Sequence, residues 1–246
     1  MENFNRPFNF DKYQSVDVTR NANSLMTSTF GWMFLALLIS GVCSLLFAFE
    51  PSLLNLLYEV KPQGGVGPTM LAYIVMFAPL AFVLVMSFGF NKLSFPALLG
   101  LFLLYSAVNG ISLSFIFLAY EMGTIIKVFI SAAALFAVMA VLGATTKTDL
   151  TKMGSFLMMA LFGLIIASLV NIFTKSSKFD YILSFIGVII FTGLTAYNVQ
   201  RIKNLSAEND GSEIYKKLGV MSAFSLYLDF INIFLYLLKL FGGRKD

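Results

Sequence analysis

Seven stretches of the chain are long and apolar enough to cross a bilayer: residues 30–49, 70–89, 95–119, 128–145, 153–173, 181–199 and 218–241. Spanning the hydrocarbon takes about 20 apolar residues at helical rise, so each predicts one membrane helix. The breaks between them are short and polar. Glu50-Pro51 closes the first run, and the Gly/Pro-rich stretch Pro62-Gln63-Gly64-Gly65-Val66-Gly67-Pro68 precedes the second. Asn91-Lys92, Glu121-Met122-Gly123 and residues 147–152 and 175–180 mark later turns, and the longest polar segment is 201–217. No break is long enough to fold alone. The expected organisation is a polar N-terminal segment, 1–26, followed by a seven-span membrane domain, 27–246. That segment mixes Glu2, Arg6, Asp11, Lys12, Asp17 and Arg20. A cleaved signal would put a shorter apolar core nearer the start, so the first run reads as a retained span. The fold class is an all-α polytopic membrane protein.

The polar positions inside the runs predict which helix faces look inward, because polar groups in lipid seek partners within the bundle. Span seven is the clearest. Ser222, Ser225, Asp229, Asn232 and Tyr236 recur at helical spacing, while the opposite face (Phe224, Leu228, Ile231, Leu235, Leu238) is apolar. Shorter stripes are Ser106, Asn109 and Ser112 beside Gly110 in span three, Ser168 and Asn171 in span five, and Thr192, Thr195 and Asn198 in span six. For a single Ser, Thr or Asn the plain reading is helix–helix adhesion. Asp229 differs, because an ionised carboxylate at mid-span costs about 2.5–3.5 kcal/mol.

Composition supports the membrane reading. Hydrophobic residues make up 58% of the chain and charged ones 12%, about half the charge of a soluble domain. Lipid must therefore cover part of the surface. The net charge of +4 is spread over short loops, with no basic stretch interleaved with aromatics, so no nucleic-acid partner is expected. Ten of the 17 Lys and Arg residues fall on the side of the N-terminus and of loops 2–3, 4–5 and 6–7. The positive-inside rule then places the N-terminus in the cytoplasm and the C-terminus outside.

Cys43 is the only cysteine and there is no histidine. Zinc sites built on His, Ser-His triads and imidazole proton relays are therefore excluded. Aspartyl intramembrane proteolysis needs two membrane aspartates where only Asp229 is present, and a retinal Schiff base needs a mid-span lysine where span seven offers only Lys239 near its end. No enzyme is expected. No Arg lies between Arg20 and Arg201, and Glu50, Glu121 and Asp180 sit at span ends. Asp229 must then be protonated, reach water or bind a cation. Ion or proton handling competes with a static structural role.

Two C-terminal segments carry a family resemblance: Leu194-Thr195-Ala196-Tyr197-Asn198-Val199-Gln200-Arg201-Ile202-Lys203, and Ser225-Leu226-Tyr227-Leu228-Asp229-Phe230-Ile231-Asn232-Ile233-Phe234. With Ala167-Ser168-Leu169-Val170-Asn171-Ile172-Phe173 in span five, they resemble the Bax inhibitor family (the transmembrane Bax inhibitor motif proteins), in its compact bacterial branch. The resemblance implies six helices around a central seventh and a pH-sensitive calcium leak governed by two aspartates. The second maps onto Asp229 and the first onto Asn198, which cannot titrate; a span-two arginine used by some members is absent here. The expected ion pathway and gate is Asp229 with Asn198, supported by Ser222, Ser225, Asn232, Thr195, Asn171 and Asn109. The expected setting is the bacterial inner membrane. No cofactor is expected, Ca²⁺ being the permeant or bound ion; both residues offer oxygens that Ca²⁺ accepts, with one negative charge fewer than a dyad. Lipid, protons and calcium or another cation are the expected partners; no protein partner is specified. The alternative is a non-conducting regulatory or interaction protein in which Asp229 is structural.

Overall fold

The computed structural model describes residues 10–60 and 66–243, with side-chain surroundings for 24–59 and 67–243. Within them the chain forms helices α1 (Phe10–Phe49), α2 (Pro51–Leu57), α3 (Met70–Gly89), α4 (Phe95–Leu113), α5 (Phe115–Ala119), α6 (Met122–Thr145), α7 (Thr151–Thr174), α8 (Ser177–Ala207) and α9 (Glu213–Phe241). Seven helical segments are long and apolar enough to cross a membrane: Ser24–Phe49, Met70–Gly89, Phe95–Ala119, Met122–Thr145, Thr151–Thr174, Ser177–Ala207 and Glu213–Phe241. This is the all-α polytopic fold. Its one departure among the described residues is a hairpin in loop 1–2, where β1 (Tyr58–Val60) pairs antiparallel with β2 (Val66–Pro68) and Glu59 stands opposite Gly67. Pro62, Gln63, Gly64 and Gly65 of the expected break lie outside the described residues, as do Glu2, Arg6, Arg244 and Lys245.

Several helices outrun the apolar runs. Span four starts at Met122 and carries Lys127 exposed, span six continues to Ala207, and span seven begins at Glu213. Apolar content ends at the hydrocarbon boundary, but backbone hydrogen bonding continues into the headgroup layer, where water and snorkelling lysines satisfy the turns. Helix α1 likewise begins at Phe10, inside the polar segment assigned to 1–26.

Span seven is the least apolar of the seven and the most enclosed. Of its 18-residue core, 61% is buried inside the protein, against 6% for span two. Its main neighbours are spans one, three, four and six; span two packs on three, and span five on six. Lipid is as apolar as leucine, so burial area alone does not hold span seven in place; close packing and interhelical hydrogen bonds do. Two glycines set the tightest crossings. A Cβ at Gly143 of span four would fall on the backbone of Ala196 in span six, and one at Gly110 of span three would fall on the backbone of Ser40 in span one. Each crossing sits beside a buried polar cluster.

Candidate functional site

The last turns of span six are built so that successive polar residues each hold a different neighbour. Asn198 donates from Nδ2 to Asp229 Oδ2 of span seven at 2.7 Å. Two residues on, Gln200 clamps loop 4–5: its Oε1 accepts from Leu150 N and its Nε2 donates to Thr148 O, both at 2.8 Å. Lys203 Nζ then donates to Ala144 O at 2.7 Å, placing a cation on the free carbonyls at the end of span four. The clamped loop is further ordered by Asp149, whose carboxylate accepts from Thr151 Oγ1 at 2.6 Å and Thr151 N at 2.9 Å. Those bonds hold the Asp149 carboxyl below the usual carboxylate range.

Asp229 is 4% exposed. Among the described residues the one ion pair joins Lys239 and Asp180 at 2.9 Å, tying the far ends of spans six and seven. Lys217 is buried at the start of span seven, its Nζ 4.9 Å from the centre of the Phe90 ring. It stands twelve residues from Asp229, about 18 Å along the helix, so it does not neutralise the carboxyl. Asn198 also lines a small cavity of about 110 Å³ together with Arg201, Ser222 and Ser225. This polar space opens beside the Asp229 partner at the end of span six that leads into loop 6–7.

The structure divides the expected supporting residues into three groups. Ser222 and Ser225 line the cavity beside Asn198, and Ser225 also returns a hydrogen bond to Met221 O. Thr195 and Asn232 bond back to their own helices, at Phe191 O and Leu228 O, so they sit near the pair without joining it. Asn109 and Asn171 are elsewhere. Asn171 Oδ1 accepts from Thr174 Oγ1 and Ser176 N, capping the turn between spans five and six, where Lys175 takes a left-handed conformation. The same residue type serves inward stripes and caps, and its position at the span end decides between them. Asn109 Nδ2 donates to Tyr227 OH at 2.8 Å.

That last contact also corrects the apolar face expected opposite Asp229. Tyr227, fully buried, sits on that side, and its hydroxyl lies 2.7 Å from Ser40 Oγ of span one. Its ring meets Phe102 and Tyr105 edge-on, with centroids 5.8 and 5.7 Å away. Tyr227 has only apolar residues at helical spacing on its own side of the helix, so its hydroxyl falls outside the stripe that holds Tyr236. In span one, Thr29, Ser40 and Ser44 share the buried face with Leu25, Met33 and Ala36.

No group of three or more His, Cys, Asp or Glu side chains that could hold a metal ion occurs among the described residues. At the Asp229 pair the protein offers carboxylate oxygens and one amide, well short of the six to eight oxygens that Ca²⁺ takes. The amide hydrogens, not the amide oxygen, face the carboxylate.

Residues 22–246 match the family described as inhibitor of apoptosis-promoting Bax1. The chain is similar to an uncharacterised protein of Borreliella burgdorferi, 43% identical over 91% of this chain and 94% of the relative. An uncharacterised protein of Rickettsia prowazekii is 40% identical over 90% of each. The inner membrane protein YbhL of Escherichia coli is 38% identical over 89% of this chain and 92% of its own length.

Proposed function

The chain belongs to the Bax inhibitor family of membrane proteins, and on that premise we propose that it is a pH-sensitive leak for calcium or another cation, gated at Asp229 with Asn198 as its partner. The observation that carries this reading is the 2.7 Å contact between Asn198 Nδ2 and Asp229 Oδ2. It ties spans six and seven through one buried carboxyl that no basic side chain neutralises among the described residues. An amide serves both states of such a carboxyl. Its N–H groups donate to the ionised form, and after a flip its carbonyl accepts from the protonated form. A cation arriving at the carboxylate would compete with the N–H donor and favour the same flip, which brings a second oxygen to the ion. Protonation and cation binding are then alternative occupants of one place. With few oxygens on offer, Ca²⁺ keeps most of its water and passes as cargo rather than residing.

The orientation follows the same reading: inner membrane of a bacterium, N-terminus cytoplasmic and C-terminus outside, with spans one, three, four and six packed against the seventh. The cavity beside Asn198 would then face the cytoplasmic side. The competing reading is a non-conducting regulatory protein in which the same contact only holds two helices together. Cation flux in proteoliposomes decides between them. Asp229→Asn keeps the shape and removes the titrating group, so flux should persist but lose the wild type's dependence on pH. No flux above empty liposomes from the wild-type protein at any pH tested overturns the leak.

A further inference from the structure

Arg201 leaves span six three residues after Asn198, about 4.5 Å nearer the end that leads into loop 6–7. Its side chain borders two cavities. One, of about 110 Å³, is the space beside the pair, shared with Asn198, Ser222 and Ser225. The other, of about 180 Å³, is bounded also by Thr151, Asn204 and Glu208. Among the described residues the guanidinium has no hydrogen-bond or ion-pair partner, although Glu208 borders the second cavity.

The first cavity has a definite electrical character. Asn198, Ser222 and Ser225 are neutral, Arg201 is permanently positive, and no acidic residue lines the space among the described ones. Asp229 is held by Asn198, which occupies its Oδ2. The Ser222 hydroxyl has no protein partner among the described residues, and it borders this same space. A polar wall, and room for a few molecules at ~30 Å³ each, suit water. A basic residue at the end of a span ordinarily anchors its helix in the headgroup layer. Arg201 stands, in addition, between loop 6–7 and the buried carboxyl, so its field acts on whatever approaches that carboxyl from this end.

We propose that Arg201 is the charge filter of the cavity beside the pair: it draws anions and holds back cations, divalent ones most, at the loop 6–7 entrance to Asp229. The brake on cation entry rests on the leak reading above; the anion preference of the cavity stands without it. By Coulomb's law a unit charge about 7 Å away in water changes the local population of a monovalent ion roughly threefold and of a divalent ion roughly sevenfold.

The test compares two thiol reagents of opposite charge. In the full-length protein, in a neutral detergent, the native cysteine is removed (Cys43→Ala) and Ser222→Cys is placed on the cavity wall. Its rates with a cationic and an anionic thiosulfonate are each divided by those of a free thiol. Arg201 should favour the anionic reagent by roughly five- to tenfold. Arg201→Gln should abolish that preference and Arg201→Lys should keep it. Should Arg201→Gln fold poorly, salt at about 1 M screens the same charge in the parent protein and should erase the preference there. Equal ratios with Arg and Gln at this position, a preference that survives the salt, or no labelling by either reagent overturns the filter. In proteoliposomes Arg201→Gln should raise Ca²⁺ flux roughly sevenfold and monovalent cation flux roughly threefold. A conducting wild type whose flux this variant leaves unchanged overturns the brake. A reagent preference lost in Arg201→Gln, with no cation flux from any variant or from the wild type, sustains the filter and sinks the leak reading instead.

Discussion

Tyr227 and Asp229 stand two residues apart on span seven and are held from opposite sides: the Tyr227 hydroxyl by Ser40 and Asn109, the Asp229 carboxylate by Asn198. Two residues along an α-helix turn the side chain by about 200°, so one turn of helix faces both span six and spans one and three. Rotation of span seven strains both sets of bonds together. A change of charge at Asp229 that turned the helix would therefore be felt at Tyr227 without any contact between the two.

Replacing Asn198 with Asp puts a second carboxyl where the amide now donates. Two carboxyls at 2.7 Å cannot both ionise without a large repulsion, so they share one proton and titrate as a pair. The variant should show a flux–pH curve with an added step and a displaced midpoint. Flux–pH curves that coincide for the wild type and Asn198→Asp would rule out the pair as the sensor.

How far the site was legible depends on what each residue does with its polar group. Asp229 and Asn198 could be paired because a lone mid-span carboxyl is expensive and the two motifs resemble a family in which those positions meet. Asn171 could not be separated from them, because a cap and an inward stripe use the same side chain. Tyr227 and Ser40 escaped notice because Tyr227 has only apolar residues at helical spacing on its own face, outside the polar stripe, and the bond between the two joins residues 187 apart in the chain. Gln200 stood inside the quoted motif, yet its acceptor and donor are backbone groups of a loop, which no side-chain pattern encodes. Span number was plain from apolar length, while helix ends, set by headgroup-level hydrogen bonding, were not.

The crossing at Gly143 gives a stability prediction that does not depend on function. A methyl group at that position meets the backbone of Ala196, two residues before Asn198, and backbone cannot swing aside as a flexible side chain can. Gly143→Ala should cost about 1–3 kcal/mol by forcing the helices apart. Gly163 of span five has nothing within 4 Å of the same methyl and faces outward, so Gly163→Ala should be neutral or stabilise by up to about 1 kcal/mol. Thermal unfolding of both variants in one detergent compares them directly. Equal stability would mean that spans four and six do not cross this closely.

The charged groups of loop 4–5 provide the control for any pH effect. Asp149 accepts two bonds from Thr151, and these, led by the side-chain bond, keep its carboxyl below the usual carboxylate range. A group lowered on folding contributes its stability above the ordinary carboxylate pKa, and the contribution is lost as pH falls through the lowered value. Its effect is therefore constant from about pH 5 to 8 and changes only below about pH 4. Asp210, whose carboxylate accepts from Ser212 N at 2.8 Å and is also held below the usual carboxylate range, follows the same sign. Asp149→Asn should alter unfolding by the same amount at every pH in the upper window, and it should leave the midpoint of a flux–pH curve where it was. The Gln200 clamp transmits any loosening of this loop to span six, two residues from Asn198, so the control is a strict one. A midpoint displaced by Asp149→Asn would show that the pH response is set through the Gln200 clamp as well, and not by the Asp229 pair alone.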